Sequence, residues 1–158
     1  MDTQTNEIVA AAKWIIWPRN DEKDLPTWPD HVSVSWISDS DPKGVNTGKG
    51  VDDKEYVAWV MEQVFGRRRE RVTSPCALLD LCFCTPAHNR RGAGKKLVEW
   101  GTKRADELGL KSFVEASFPG RRLYEGCRFE VKEVVSLDKG YGKVEYLWME
   151  REVRPLPN

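Results

Sequence analysis

Residues 78–97 read LLDLCFCTPAHNRRGAGKKL, an apolar strand that runs through Pro86 straight into a glycine-rich, strongly basic helix start. Arg90, Arg91, Lys95 and Lys96 crowd a helix end that already carries partial positive charge and unpaired backbone N–H groups. That crowding is unfavourable unless an anion sits there, and a phosphate is the natural occupant. Two familiar phosphate motifs are excluded by spacing. A P-loop needs glycine where Asn89 stands and Ser or Thr where Lys96 stands. The dinucleotide fingerprint finds its first two glycines in Gly92-Ala93-Gly94, but Leu97 occupies the place of the third.

Cys84, Pro86, Asn89, Gly92 and Gly94 fall in register with another pattern: an apolar residue, any residue, often a proline, two residues, Gln or Arg, two residues, Gly, any residue, Gly or Ala. In this the stretch resembles the pyrophosphate loop of the GNAT family of acyl-CoA-dependent N-acyltransferases. The resemblance continues through Lys111 to Glu130, KSFVEASFPGRRLYEGCRFE, where Leu123, Tyr124 and Phe129 match the family's fifth strand, following helix and turn. Asn89 replaces the commoner Gln or Arg, Arg128 stands where glycine is usual, and Ser117 sits where many members carry asparagine. None of these changes removes a backbone amide donor.

A chain of 158 residues is expected to form one domain, 1–158. Its 25 basic and 25 acidic residues balance, so no global field draws it to nucleic acid or membrane, and the basic patch is local. Gly66-Arg-Arg-Arg-Glu-Arg71 is read as the solvated end of a helix closed by Gly66, because no aromatic residues interleave to stack on bases. Cys76, Cys82, Cys84 and Cys127 lack paired metal-ligand spacing and read as buried thiols, with no metal site. The N-terminus has no basic region before its short apolar run, which points to a reducing, cytoplasmic location without excluding the nucleus.

Glu7–Trp17 reads as a buried strand ended by Pro18. Residues 18–52 form a loop-rich insertion, with Val32, Val34 and Trp36 as a possible edge strand. Asp52-Asp53 caps a helix carrying Val57, Val60, Met61, Val64 and Phe65. Cys76–Thr85 reads as a central strand with Ala77, Leu79, Leu81 and Phe83 on one face and Leu78, Asp80, Cys82 and Cys84 on the other. The next helix shows a stripe of Ala93, Leu97, Gly101, Ala105 and Leu108, closed by Gly109. A strand at Phe113–Ala116 parallel to the previous one, a short helix at Arg121–Cys127 and a hairpin of Phe129–Leu137 with Val144–Val153 complete the order.

The resemblance implies an α/β protein with the GNAT fold, a central mixed, mostly antiparallel sheet with one splayed parallel strand pair. Residues 76–109 would be its acyl-CoA-binding strand–loop–helix and 111–153 its C-terminal strand, helix and hairpin. Only Met1–Asn6 precede the strand equated with the family's third, so the fold is expected to be N-terminally truncated. By the same resemblance, Cys82, Phe83 and Cys84 contact acetyl-CoA through main chain, and Asn89, Arg90, Arg91, Gly92, Ala93, Gly94, Lys95 and Lys96 hold its pyrophosphate, with Ser117 nearby. Tyr124 falls on the family's tyrosine that protonates the departing sulfur, and Asp80 or Glu115 could relay the amine proton through water. The implied reaction is acetyl transfer to an amine. The alternative is a CoA-binding GNAT-like protein with little or no catalysis. Seven tryptophans and the missing first elements suggest apolar surface covered in a homodimer.

Overall fold

A computed structural model describes residues 5–18, 53–138, 140 and 143–154. The expected insertion, with its Val32–Trp36 edge strand, lies almost wholly outside them. The elements are β1 (Ala10–Trp17), α1 (Asp53–Arg71), β2 (Cys76–Cys84), α2 (Ala93–Glu107), β3 (Lys111–Ala116), α3 (Arg121–Gly126), β4 (Glu130–Asp138) and β5 (Lys143–Arg151). Single 3₁₀ turns at Pro86–His88 and Phe118–Gly120 introduce α2 and α3. The five strands make one mixed sheet in the order β1-β2-β3-β5-β4.

The described residues fall into two compact units, one of 5–18, 74–135 and 145–154, the other of 53–73 with 136–138, 140 and 143–144. In the first, β2 lies antiparallel to β1 and parallel to β3, and β3 lies antiparallel to β5. Crossing from β2 to a parallel β3 requires a helical connection, which α2 supplies. One face of the sheet packs on α2 and α3: Leu79, Val114, Ala116, Leu147 and Met149 meet Val98 and Tyr124, while Ala77 meets Ala105 and Leu110. On α2 the buried residues are Gly94, Val98, Gly101, Thr102 and Ala105. The buried stripe is therefore turned from the expected one, with Val98 inside where Leu97 was expected. Its small residues let the helix lie close to β1, and Trp14 of β1 reaches over Gly101 to donate from Nε1 to the Leu97 carbonyl at 3.3 Å.

Gly109 does end α2. It takes φ +66°, its N–H donates to the Asp106 carbonyl at 3.1 Å, and Leu110 N–H donates to the Ala105 carbonyl at 2.8 Å, the paired bonds of a Schellman cap. Gly66 does not end α1. The helix continues to Arg71, since Gly66 has no positive φ and the cations beyond it suit a helix C-terminus. The basic run is also less solvated than expected. Arg68 is 5 % exposed with its guanidinium 5.0 Å from the Phe65 ring centroid, and Arg69 pairs with Glu62 at 2.7 Å.

Candidate active site

The site begins with a miscount between two strands. Along β1 and β2, Leu81 faces Lys13 and Leu79 faces Trp14, which leaves Asp80 with no opposing residue. Two residues on one strand thus span three on the other, a β-bulge that bends β2 and raises its twist. The bend coincides with separation from β3: the parallel pairing runs from Cys76↔Lys111 to Leu79↔Val114 and stops. Beyond it β3 stays with β5 through Glu115↔Trp148 and Ala116↔Leu147, while β2 follows β1 to Ala10↔Cys84. A gap opens between the two parallel strands.

The bulge also reverses the faces expected from simple alternation. Leu79 and Cys82 both join the core on the α2 side, and the Cys84 sulfur lies beside Gly94 of α2. Leu81 and Phe83 point the other way, 52 % and 46 % exposed. Backbone direction follows from one bond, Thr85 N–H to the Val9 carbonyl at 2.8 Å. An antiparallel ladder alternates bonded and non-bonded pairs, so Phe83 turns its peptide groups toward β1, and Cys82 and Cys84 turn theirs into the gap.

Beyond Cys84 the chain is shaped by a 3₁₀ turn with Pro86 at its start, after which Arg90 adopts φ +62° and Gly92 φ +85°. Left-handed residues flanking Arg91 turn successive N–H groups to a common side, the concavity that binds anions. The first turn of α2 has no side-chain cap and no acidic residue, so its amides remain available. Among the described residues Arg90, Arg91 and Lys96 form no ion pair, and Lys95 reaches Glu99 only at 3.6 Å. A groove of about 590 Å³ lies here, lined by Cys84, His88, Asn89, Arg90, Gly92, Ala93, Gly94, Lys95, Pro119, Gly120 and Leu123.

Of the candidate cofactor contacts, Cys84, Asn89, Arg90, Gly92, Ala93, Gly94 and Lys95 line this groove, whereas Cys82, Phe83, Arg91, Lys96 and Ser117 do not. Ser117 instead caps the second 3₁₀ turn, its Oγ accepting from the Gly120 N–H at 3.3 Å, and so helps set Pro119 and Gly120 in the wall. Pro119, Gly120 and Leu123 were not foreseen as groove walls, whereas His88 was expected beside the phosphate cradle as an extra cation or a helix-start contact. His88 carried a visible signal, a histidine two residues past a proline at a helix start, and its Nδ1 lies 3.0 Å from the Thr85 hydroxyl.

Tyr124 sits behind the groove at 8 % exposure, its ring edge-on to Phe129 at 6.1 Å and beneath Gly120. Burial, with smaller contributions from Cys82 and Cys127, pushes its hydroxyl up to about 12. Burial likewise raises the Cys82 thiol, with Cys84 and Cys127 adding to it. Asp80, expected on a face with Cys82 and Cys84, is the unmatched residue of the bulge and is ion-paired to Lys13 at 2.8 Å. Glu115 lies on β3 where β2 departs, on the face away from α2. All four cysteines are free thiols, and among the described residues no cluster could hold a metal ion and no helix is long and apolar enough to cross a membrane.

Compared with known protein families, residues 9–129 match the model of the acetyltransferase (GNAT) family. No curated protein matches the chain. Among solved structures, it is similar to one described as histone acetyltransferase HPA2 and related acetyltransferase from Corynebacterium glutamicum, at 21 % identity and TM-score 0.43 over 52 % of this chain and 44 % of that one. Another, described simply as an acetyltransferase, gives 19 % identity and TM-score 0.38 over 65 % of this chain and 60 % of that one.

Proposed function

The chain belongs to the acetyltransferase (GNAT) family, and from that premise we propose that it moves an acetyl group from acetyl-CoA to an amine, on a small molecule or a protein. The observation that carries the reading is the conjunction of an uncapped, cation-rich helix start with a strand pair opened by the bulge at Asp80. The residues suit a CoA molecule. Amides of 89–95 would hold the pyrophosphate, the basic side chains would neutralise it, and the exposed peptide groups of Cys82 and Cys84 would pair with the pantetheine arm. Bound there, acetyl-CoA supplies an activated carbonyl and a thiolate leaving group.

The chain's own residues then have three tasks. The Cys84 N–H, directed into the gap, donates to the carbonyl oxygen as negative charge develops on it. A carboxylate must take a proton from the acceptor through water, and the candidates are Glu115, on β3 where β2 departs, and Asp80, ion-paired to Lys13. Tyr124 donates toward the departing sulfur. With its hydroxyl near 12 and a thiol near 8.5, complete proton transfer to the thiolate is uphill, so its contribution is a hydrogen bond that strengthens as charge builds on sulfur.

Calorimetry with CoA tests the site. Gly92 sits at φ +85° with open space around its Cα, so Gly92→Val meets no steric neighbour but cannot keep the loop's backbone. CoA affinity should fall on the order of tenfold or more while α2 remains folded by circular dichroism. Equal affinity in the variant would remove the pyrophosphate from this loop, and with it the reading.

A further inference from the structure

A second cavity, of about 450 Å³, lies where β4 begins and β5 ends. Arg128, Glu130 and Lys132 line it from one side, and Glu150, Glu152, Val153 and Arg154 from the other. It is not an extension of the groove at the start of α2. The gap between β2 and β3 opens where Ala116 of β3 pairs with Leu147 of β5, and Glu152 lies five residues further along the chain, about 17 Å away.

Every carboxylate in the cavity wall already has a cation. Lys132 holds Glu130 at 2.7 Å, and Lys111 of β3 bridges Glu150 and Glu152 at 2.6 and 2.9 Å. The two arginines are placed differently. Among the described residues the guanidinium of Arg128 forms no hydrogen bond and no ion pair. The Arg154 guanidinium forms none either. Its charge is felt by Asp106, but both oxygens of that carboxylate are taken by Arg151 and by the Arg154 backbone N–H. Around the cavity the four cations Lys111, Arg128, Lys132 and Arg154 thus stand against three carboxylates, a surplus of one positive charge.

Arg128 comes to this place against its backbone preference. It is held at φ +70°, at a cap that glycine would make without strain. A residue kept in a sparsely populated conformation points to a use for its side chain. Two guanidinium groups without partners, at the wall of one cavity, offer paired N–H donors that match the oxygens of a carboxylate or a phosphate. Charge decides between them: a carboxylate neutralises the surplus of one, whereas a phosphate dianion would bring excess negative charge among three glutamates. Val153, 38 % exposed, gives the wall an apolar patch for the carbon chain of such a ligand.

We propose that this cavity binds a small aliphatic carboxylate, its oxygens shared between the guanidinium groups of Arg128 and Arg154 and its hydrocarbon part on Val153. A ligand so held ties the turn after α3 to the chain leaving β5. The site stands apart from acetyl transfer, and its test does not use turnover.

The experiment titrates butyrate, and inorganic phosphate for comparison, while the arginine Nε–H signals are followed by heteronuclear NMR with CoA present throughout. The two relevant signals are those missing in Arg128→Gly and in Arg154→Gln. The first variant keeps the left-handed cap and the second keeps the backbone bond to Asp106, so both should fold. Butyrate should move both signals along one saturable curve and raise Tm with its concentration. Each variant should weaken butyrate by about fivefold or more and leave CoA affinity unchanged. Shifts that stay linear in butyrate, or an affinity indifferent to both substitutions, would overturn the site, and tighter binding of phosphate than of butyrate would overturn the ligand class.

Discussion

Gly101 lacks a side chain because Trp14 occupies the space. A Cβ there would lie 1.9 Å from the indole Cε2, so Gly101→Ala must push the ring out of its place between β1 and α2. Such overpacking typically costs about 1–3 kcal/mol, and the expected result is a clear drop in Tm that Trp14→Leu partly reverses in the double variant. Additive losses would mean that the two residues do not share the space. Tyr124 shows the same dependence on surroundings in its chemistry. A hydroxyl pushed up to about 12 stays protonated through neutral and mildly alkaline pH. Loss of turnover from its ionisation should therefore appear only above about pH 10, a limb in kcat that Tyr124→Phe removes. The same variant should lower kcat on the order of tenfold, below the usual range for full proton transfer. Unchanged turnover would return Tyr124 to a packing role.

At the scale of elements, α3 ends on an arginine in a glycine's place. Arg128 takes φ +70°, its N–H donates to the Glu125 carbonyl at 2.9 Å, and Phe129 N–H donates to the Tyr124 carbonyl at 3.0 Å. This is the same cap that Gly109 makes on α2, with Phe129 packed edge-on against Tyr124 as its apolar clasp. An L-residue held left-handed costs about 1–2 kcal/mol, and glycine's greater freedom in the unfolded chain returns part of that. Arg128→Gly should stabilise the protein by about 0.5–1 kcal/mol in urea unfolding, and a loss of stability would show that the arginine side chain makes up for its backbone. The departure at Arg128 was visible in LYEGCRF because caps and glycine loops are written in consecutive residues, as was the anion-binding start of α2. Gly66 misled because a glycine that stays helical carries no local mark of doing so. The bulge at Asp80 was hidden for a deeper reason: it is a relation between β1 and β2, and neither strand's sequence counts the other's residues. The faces of Leu81, Phe83, Cys82 and Cys84 were misread from Leu79 onward for that cause alone.

Across the first unit, sequence-distant elements are tied by a buried ion pair. Arg151 of β5, 6 % exposed, donates through both terminal nitrogens to Asp106 of α2 at 2.8 and 2.7 Å, and the Arg154 N–H adds a third bond at 2.8 Å. Burial alone would raise the Asp106 carboxyl, but the bonds from Arg151 and Arg154 outweigh it and hold it below the usual range. A depressed carboxyl contributes stability that is fully present above its unfolded value near 3.8 and is lost as pH falls through the lower folded value. Asp106→Asn should cost about 3–5 kcal/mol at neutral pH, because it strands a buried guanidinium, and the difference from the parent should shrink as pH drops below 4. A constant difference across that window would mean that the pair does not titrate with folding. Stability here rests on the identity of side chains, and the opening between β2 and β3 does not. A slot made by one surplus residue is indifferent to spelling, which is why cysteines can stand in its wall, but it depends wholly on length. Deleting one residue between Leu79 and Cys84 would let β2 fall back into step with β1, exchange its inner and outer faces and heal the sheet shut. From Asp80 to Cys84 the opening tolerates substitution, while the smallest insertion or deletion would erase it.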